Sequence, residues 1–175
     1  MTKKMSVRKT DPSARMIMVK KAALVFMCVL LAWASSLAQT PPEEPQGAED
    51  KARFWTERLK SDDPAILQKA VQRLSNLTYK GAHSAIVTPQ LTRIAELLKH
   101  DKPEIGRSVI SILINLKAKE YKQPIGELLK DENDDVKKAA IGALAYFKAT
   151  DYVGEIAKFL PHPNFGLRWT AVNAL

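Results

Sequence analysis

The run Asn133-Asp-Asp-Val-Lys-Lys-Ala-Ala-Ile-Gly-Ala-Leu144 constrains this chain more than any other stretch, because its apolar skeleton returns up and down the sequence. Val136, Ala140, Ile141 and Leu144 recur as Ile66, Ala70, Val71 and Leu74, as Ile105, Val109, Ile110 and Leu113, and as Leu167, Ala171, Val172 and Leu175. Offsets of 0, +4, +5 and +8 place each set on one helical face. A second skeleton follows the first three copies: Ile94, Leu97 and Leu98, then Ile125, Leu128 and Leu129, then Ile156, Phe159 and Leu160. Two amphipathic helices per period, neither able to bury its apolar face alone, predict an all-α solenoid of stacked helix pairs.

The array opens on a half-repeat. Lys51 to Lys60 lays over the second helices, with Trp55 where Ile94, Ile125 and Ile156 fall and Leu59 where Leu98, Leu129 and Leu160 fall. Arg58 replaces the apolar residue of Leu97 and Leu128, as an end helix with one solvated flank requires. Unit one then pairs Pro64–Leu77 with Pro89–Lys99; unit two runs from Pro103 to Lys130, and unit three from Asn133 to Leu160. Asp63, Thr88, Asn133 and Asp151 stand at N-cap positions, the first two followed by a proline whose missing N–H costs nothing there. The first helices step by 39 residues and then twice by 31, whereas the second helices step by 31 throughout. The eight extra residues therefore lie inside unit one, near Lys80-Gly-Ala-His-Ser-Ala-Ile-Val87. A fourth first helix, Phe165 to Leu175, follows the turn Pro161-His-Pro-Asn164 and has no second helix after it. Val172 and Leu175 are expected to stay partly exposed, which reads as a fragment of a longer array or as an end that another chain covers.

Charge separates the two ends of the sequence. Residues 1–38 hold seven Lys or Arg against the single acid Asp11, a charge of +6 out of the formal +8. The remainder carries only +2, which gives the repeats no basic face for nucleic acid. The apolar stretch Ala22 to Ala34, flanked by Lys20-Lys21 and Ser35-Ser-Leu-Ala38, has the three parts of a secretory signal over residues 1–38, with an uncleaved membrane anchor as the other reading. Gln39 to Asp50, with three prolines and four acids, reads as an extended linker. Cleavage after Ala38 would remove Cys28 and leave a mature chain without cysteine, so neither a disulfide nor a thiolate metal site. Export to a periplasmic or extracellular location follows, and packing alone must stabilise the fold.

Residues 51–175 resemble short HEAT repeats of the PBS-lyase HEAT-like subtype, above all in Asp134-Asp-Val-Lys-Lys-Ala-Ala-Ile-Gly-Ala-Leu144 and in Leu167-Arg-Trp-Thr-Ala-Val-Asn-Ala-Leu175. Leu67 and Gly106 stand where Lys137 and Arg168 stand, so the basic position after the leading aliphatic is incomplete. The resemblance implies that the second helices line the concave, ligand-facing side. Projected outward on that side are Arg53, Thr92 and Gln123, then Glu96, Glu127 and Lys158, then Lys99 and Lys130, with Tyr121 and Tyr152 in equivalent positions at the groove's edge. Glu96 to Lys99 and Glu127 to Lys130 repeat a Glu-to-Lys spacing of i, i+3, also present as Glu57 to Lys60, which neutralises itself locally.

Catalytic equipment is absent from the sequence. His83, His100 and His162 have no carboxylate or cysteine at ligand spacing, and no nucleophile elbow, phosphate loop or haem motif occurs. The acids Asp62-Asp63, Asp101 and Asp131 to Asp135 precede helices, where capping and the helix dipole account for them. The expectation is an exported protein-interaction scaffold without enzymatic activity, cofactor or metal, contacting a protein partner through the second helices and the insertion. The alternatives are the N-terminal part of a larger exported protein and an enzyme resembling the bilin lyases that share this repeat.

Overall fold

The computed structural model describes residues 43–175; the expected signal or anchor segment and the start of the linker lie outside them. Among the described residues the chain forms helices and turns and no strand. The helices are α1 Ala48–Glu57, α2 Pro64–Leu77, α3 Ser84–Val87, α4 Leu91–Glu96, α5 Pro103–Asn115, α6 Lys122–Glu127, α7 Asp134–Tyr146, α8 Val153–Ala157 and α9 Phe165–Ala174. The first helices α2, α5, α7 and α9 stack in sequence order, and the second helices α1, α4, α6 and α8 form a layer beside them. One apolar cluster runs from Trp55 to Ala171, the two layers meeting along it.

The repeated skeleton is the core. Ile105, Val109, Ile110 and Leu113 are buried, as are Val136, Ala140, Ile141 and Leu144. Unit one departs at its first position, where Ile66 is 36% exposed and Leu67 is buried in its place. Among the described residues α2 is the first helix of its layer and no preceding helix closes over Ile66, and the neighbouring leucine turns inward. The last unit departs as expected, with Val172 and Leu175 exposed. Leu160 is exposed too, because α8 ends at Ala157 and among the described residues no later second helix stands beside its last turn.

Two of the four expected N-caps, Asp63 and Asn133, are present, and Asn164, not among those expected, is a third. The Asp63 carboxylate accepts from Ala65 N–H at 2.8 Å, and the Asn133 and Asn164 side chains each accept two N–H groups of the following turn. Thr88 and Asp151 are not caps. Each lies within a 3-10 turn, Thr88–Gln90 or Thr150–Tyr152, which runs directly into the α-helix and leaves no extended residue from which a side chain could reach back. The second helices also tighten at their C-terminal ends, into the 3-10 turns Arg58–Lys60, Leu97–Lys99 and Leu128–Lys130.

Two turn types join the helices. Between units, the side chain just after each second helix accepts the backbone N–H two residues on: Ser61 from Asp63, His100 from Lys102, Asp131 from Asn133 and His162 from Asn164. This places His100 and His162 as turn formers, using Nδ1 where Asp131 uses a carboxylate. Within units two and three, Ala118 N–H reaches the Leu113 carbonyl and Ala149 N–H the Leu144 carbonyl, each at 2.9 Å. That closure puts Lys117 and Lys148 in the left-handed region, at φ 55° and 53°.

The folded unit begins before the expected first helix. α1 starts at Ala48, and Glu44 accepts from the Trp55 indole N–H at 2.9 Å and lies 3.8 Å from Arg73. The Trp55 hydrogen bond, helped by Arg73, Lys51 and Lys69 and opposed by partial desolvation, holds the Glu44 carboxyl below the usual carboxylate range. Arg58 stacks 3.3 Å over the Phe54 ring, so polar groups cover the outer flank of α1.

Candidate functional site on the second helices

Each second helix buries the side that carries Ile94, Ile125 or Ile156 and turns the opposite side to solvent. Arg53, Thr92, Glu96, Lys99, Gln123, Glu127, Lys130 and Lys158 are exposed there. Tyr121 and Tyr152 are half-buried and pack their rings against the core, so they contribute edges rather than whole rings to the surface.

The charges pair differently from the expected pattern. Among the described residues neither Glu96 with Lys99 nor Glu127 with Lys130 closes within its helix. Lys99 Nζ instead reaches Glu127 Oε2 of the next unit at 2.9 Å, while Glu96 is held by Arg93 at 2.9 Å. Arg93 takes the Glu96 carboxylate, which leaves Lys99, at the end of the 3-10 turn Leu97–Lys99, to Glu127. Lys158 pairs with Glu155 at 2.7 Å, and that hydrogen bond, with the added field of Lys130, lowers the Glu155 carboxyl below its ordinary value. Lys99 thus links units one and two, whereas Lys158 pairs within its own unit.

Four of the ten residues singled out in the sequence meet at one hollow. Gln123, Glu127, Lys130 and Tyr152, with Gly126, Leu129 and Glu155, enclose about 280 Å³ between units two and three. Tyr152 lies over Gly126, where a Cβ would overlap its ring. The equivalent positions hold Ala95 and Ala157, so a glycine in that register was the signal for this close approach. Arg53, Thr92, Glu96, Lys99, Tyr121 and Lys158 do not line the hollow.

Two larger hollows lie elsewhere. One of about 560 Å³ opens among the inter-unit turns and is lined by His100, Asp101, Pro103, Asp131, Glu132 and Asn133, of which His100, Asp131 and Asn133 are already engaged in turn and cap hydrogen bonds. The other, of about 520 Å³, lies on the first helices between Gln68, Gln72, Arg107, Ser111 and Lys138 and has no apolar floor beyond Ala139. The unit-one insertion is more structural than its position suggests: it forms the turn Tyr79–Gly81 and helix α3, which packs on α1 and buries Val87 completely. Its exposed residues are Lys80, Ala82, Ser84 and Ala85, with the exposed Tyr79 just before them. Among the described residues no three metal-ligating side chains come together, and no helix is long and apolar enough to cross a membrane.

Residues 122–175 match the family model described as HEAT repeats. No curated protein matches the sequence. Among solved structures, an engineered protein is similar at 19% identity with a TM-score of 0.58, covering 70% of this chain and 60% of that one. A designed armadillo repeat protein matches at 18% identity and TM-score 0.58, over 71% of this chain and 63% of that one. Another designed armadillo repeat protein, in complex with the peptide (KR)4, matches at 16% identity and TM-score 0.61, over 71% and 62%. The chain thus spans about three fifths of the length of these structures. The repeat match at its C-terminal end and the helical-repeat folds along its length support a HEAT-type repeat protein with an α-solenoid architecture.

Proposed function

We propose that this chain is an exported protein-interaction scaffold, non-enzymatic, which holds a segment of a partner polypeptide along the exposed face of its second helices. The observation that carries the reading is the hollow at Gly126 and Tyr152, set in a face whose charges are linked from unit to unit through Lys99 and Glu127. Its aromatic edge offers apolar contact, and the carboxylates and ammonium groups around it offer hydrogen bonds to a peptide backbone. The designed armadillo protein similar to this chain in fold was solved with a peptide, which supports a polypeptide as ligand class. The short PBS-lyase HEAT-like subtype belongs to this proposal on the strength of residues 134–144 and 167–175, and export on the strength of residues 1–38.

The experiment is affinity purification of the tagged, exported chain, followed by mapping of the captured polypeptide onto variants. Gln123→Ala and the pair Glu127→Ala with Lys130→Ala, all at exposed positions, are expected to lose the captured partner while melting within a few degrees of the parent. Retention of the same partner by both would move the binding face elsewhere. Mature protein from the cell envelope is expected to begin at or near Gln39; an intact Met1 or Met16 terminus would overturn the export reading.

A further inference from the structure

Charge in the array is divided by turn type. The segments that lead from a first helix to its second helix carry Lys80, Lys117, Lys119 and Lys148 against Glu120 and Asp151, and Asp151 is already 4.0 Å from Lys122 at the start of α6. The turns that lead on to the next unit carry Asp62, Asp63, Asp101, Asp131 and Glu132 against Lys102 alone. Short connections make the two helices of a pair antiparallel, so the two kinds of turn lie along opposite edges. The small net charge of the repeats therefore conceals a basic edge and an acidic one. The basic turns adjoin one another: Asn115 Nδ2, at the end of α5, donates to the Ser75 carbonyl of unit one at 3.0 Å, and Lys122 meets Asp151 from unit two to unit three.

The backbone of the basic edge adds a second observation. Among the described residues every non-glycine residue with a left-handed φ belongs to it: Lys80 at 56°, Lys117 at 55°, Lys148 at 53° and His83 at 53°. Glycine takes that conformation without a Cβ penalty, so the turn itself gives no reason for lysine to recur there in all three units. What lysine adds is a charge on a long stem. Among the described residues neither these three lysines nor Lys119 forms an ion pair, and all four are exposed. Tyr79, beside Lys80, is 64% exposed, and Tyr146, two residues before Lys148, is 52% exposed. Lys117 and Lys119 have a turn of the same kind on either side, so their exposure does not depend on where the array starts or stops.

We infer that this edge rests on an anionic phospholipid surface, with the lysines at the headgroup phosphates and the Tyr79 and Tyr146 rings at the boundary of the hydrocarbon. Three features select a flat partner of that chemistry. The lysines recur once per unit in a row, roughly 10 Å apart like the stacked helices that carry them, and a plane can meet them all at once. None of the four lysines, and neither tyrosine, lines any of the three hollows, so the edge has no recess to seat a peptide side chain or a small ligand. Tyrosine beside lysine suits a membrane interface, the ring entering the apolar boundary while hydroxyl and ammonium stay wet. The contact is peripheral and electrostatic, with the acidic edge turned away from the surface. It shares no residue with the second-helix face and stands or falls independently of it.

The test is amine acetylation of the full chain in the presence of vesicles, read lysine by lysine by mass spectrometry. Vesicles of mixed phosphatidylglycerol and phosphatidylcholine are expected to protect Lys80, Lys117, Lys119 and Lys148 severalfold while Lys60 and Lys102 stay as reactive as in solution. Pure phosphatidylcholine is expected to protect none of them, and protection by the mixed vesicles should fade in about 0.5 M salt. Reading each lysine separately sets aside any attachment through residues 1–38, which would hold the chain near the vesicle without choosing an edge. Lys117→Gly with Lys148→Gly, at positions whose left-handed backbone glycine accepts, should lose more than half of the protection at Lys80 and Lys119. Lys60→Gln with Lys102→Gln, the same change of charge elsewhere, should lose none. Equal protection of all lysines, or none at the four, overturns the proposal. Protection by poly-glutamate or duplex DNA but not by anionic vesicles would assign the edge to an acidic polymer and overturn it likewise.

Discussion

At positions 117 and 148 a lysine holds a backbone conformation that glycine adopts without a Cβ penalty. Both are exposed, and neither side chain makes an ion pair among the described residues, so the closure of the turn is the reason for the strain. Lys117→Gly and Lys148→Gly are each expected to stabilise the chain by about 0.5–1 kcal/mol in urea unfolding, the relief of the left-handed φ outweighing the added freedom of the unfolded chain. Unchanged or lowered midpoints would mean that the lysines make contacts worth more than the strain. The spelling Leu116-Lys-Ala118 and Phe147-Lys-Ala149 repeats in the sequence, but it has no glycine or asparagine to mark a left-handed turn, so this feature was not legible from residue types. The two turn histidines were hidden for a related reason: imidazole Nδ1 does the work of the Asp131 carboxylate, and the shared role shows only when the acceptors are lined up.

The starts of helices α5 and α7 were legible because their apolar positions keep the helical period and their entry is marked by Pro103 or Asn133. Ile110, 1% exposed between stacked helices, is the position at which this register is tested most severely. Ile110→Asp is expected to cost more than about 3 kcal/mol, enough to unfold a marginal domain, because the carboxylate is buried without a partner. Ile66→Asp is expected to cost less than about 1 kcal/mol, since Leu67 has taken the interior place. Circular-dichroism melts of the two variants separate these outcomes, and equal losses would show that unit one packs as the others do. What periodicity does not reveal is the tightening of the second helices into 3-10 turns. Nor does a helical wheel show that Arg93 takes Glu96 and that Lys99 reaches Glu127 of the next unit.

Across the whole array the fold was readable because the helix contacts join elements of the same unit or of adjacent units, so the repeat pattern and the tertiary packing carry the same information. The recognition faces were not readable in the same way. Their residues are solvated, and pairing between units depends on where each helix ends. Electrostatics at those junctions makes one further consequence testable. The Lys137 hydrogen bond first, and then that from Asn164 across the junction of units three and four, hold Asp134 below the usual carboxylate range; Lys138 does the same for Asp135. With Glu44 and Glu155 also lowered, four carboxylates spread from one end of the array to the other have folded pKa values beneath their unfolded ones. Such groups contribute stability that is fully present above the unfolded values, near about 4, and is lost as pH falls through the folded values. The melting temperature is therefore expected to be flat from pH 7 to 5 and to drop steadily below about pH 4. Asp134→Asn should melt lower than the parent at pH 7 and converge with it in acid, because it has already given up the charge that protonation removes. Parallel curves for the two proteins would show that the junction's carboxylate is not a source of the acid sensitivity.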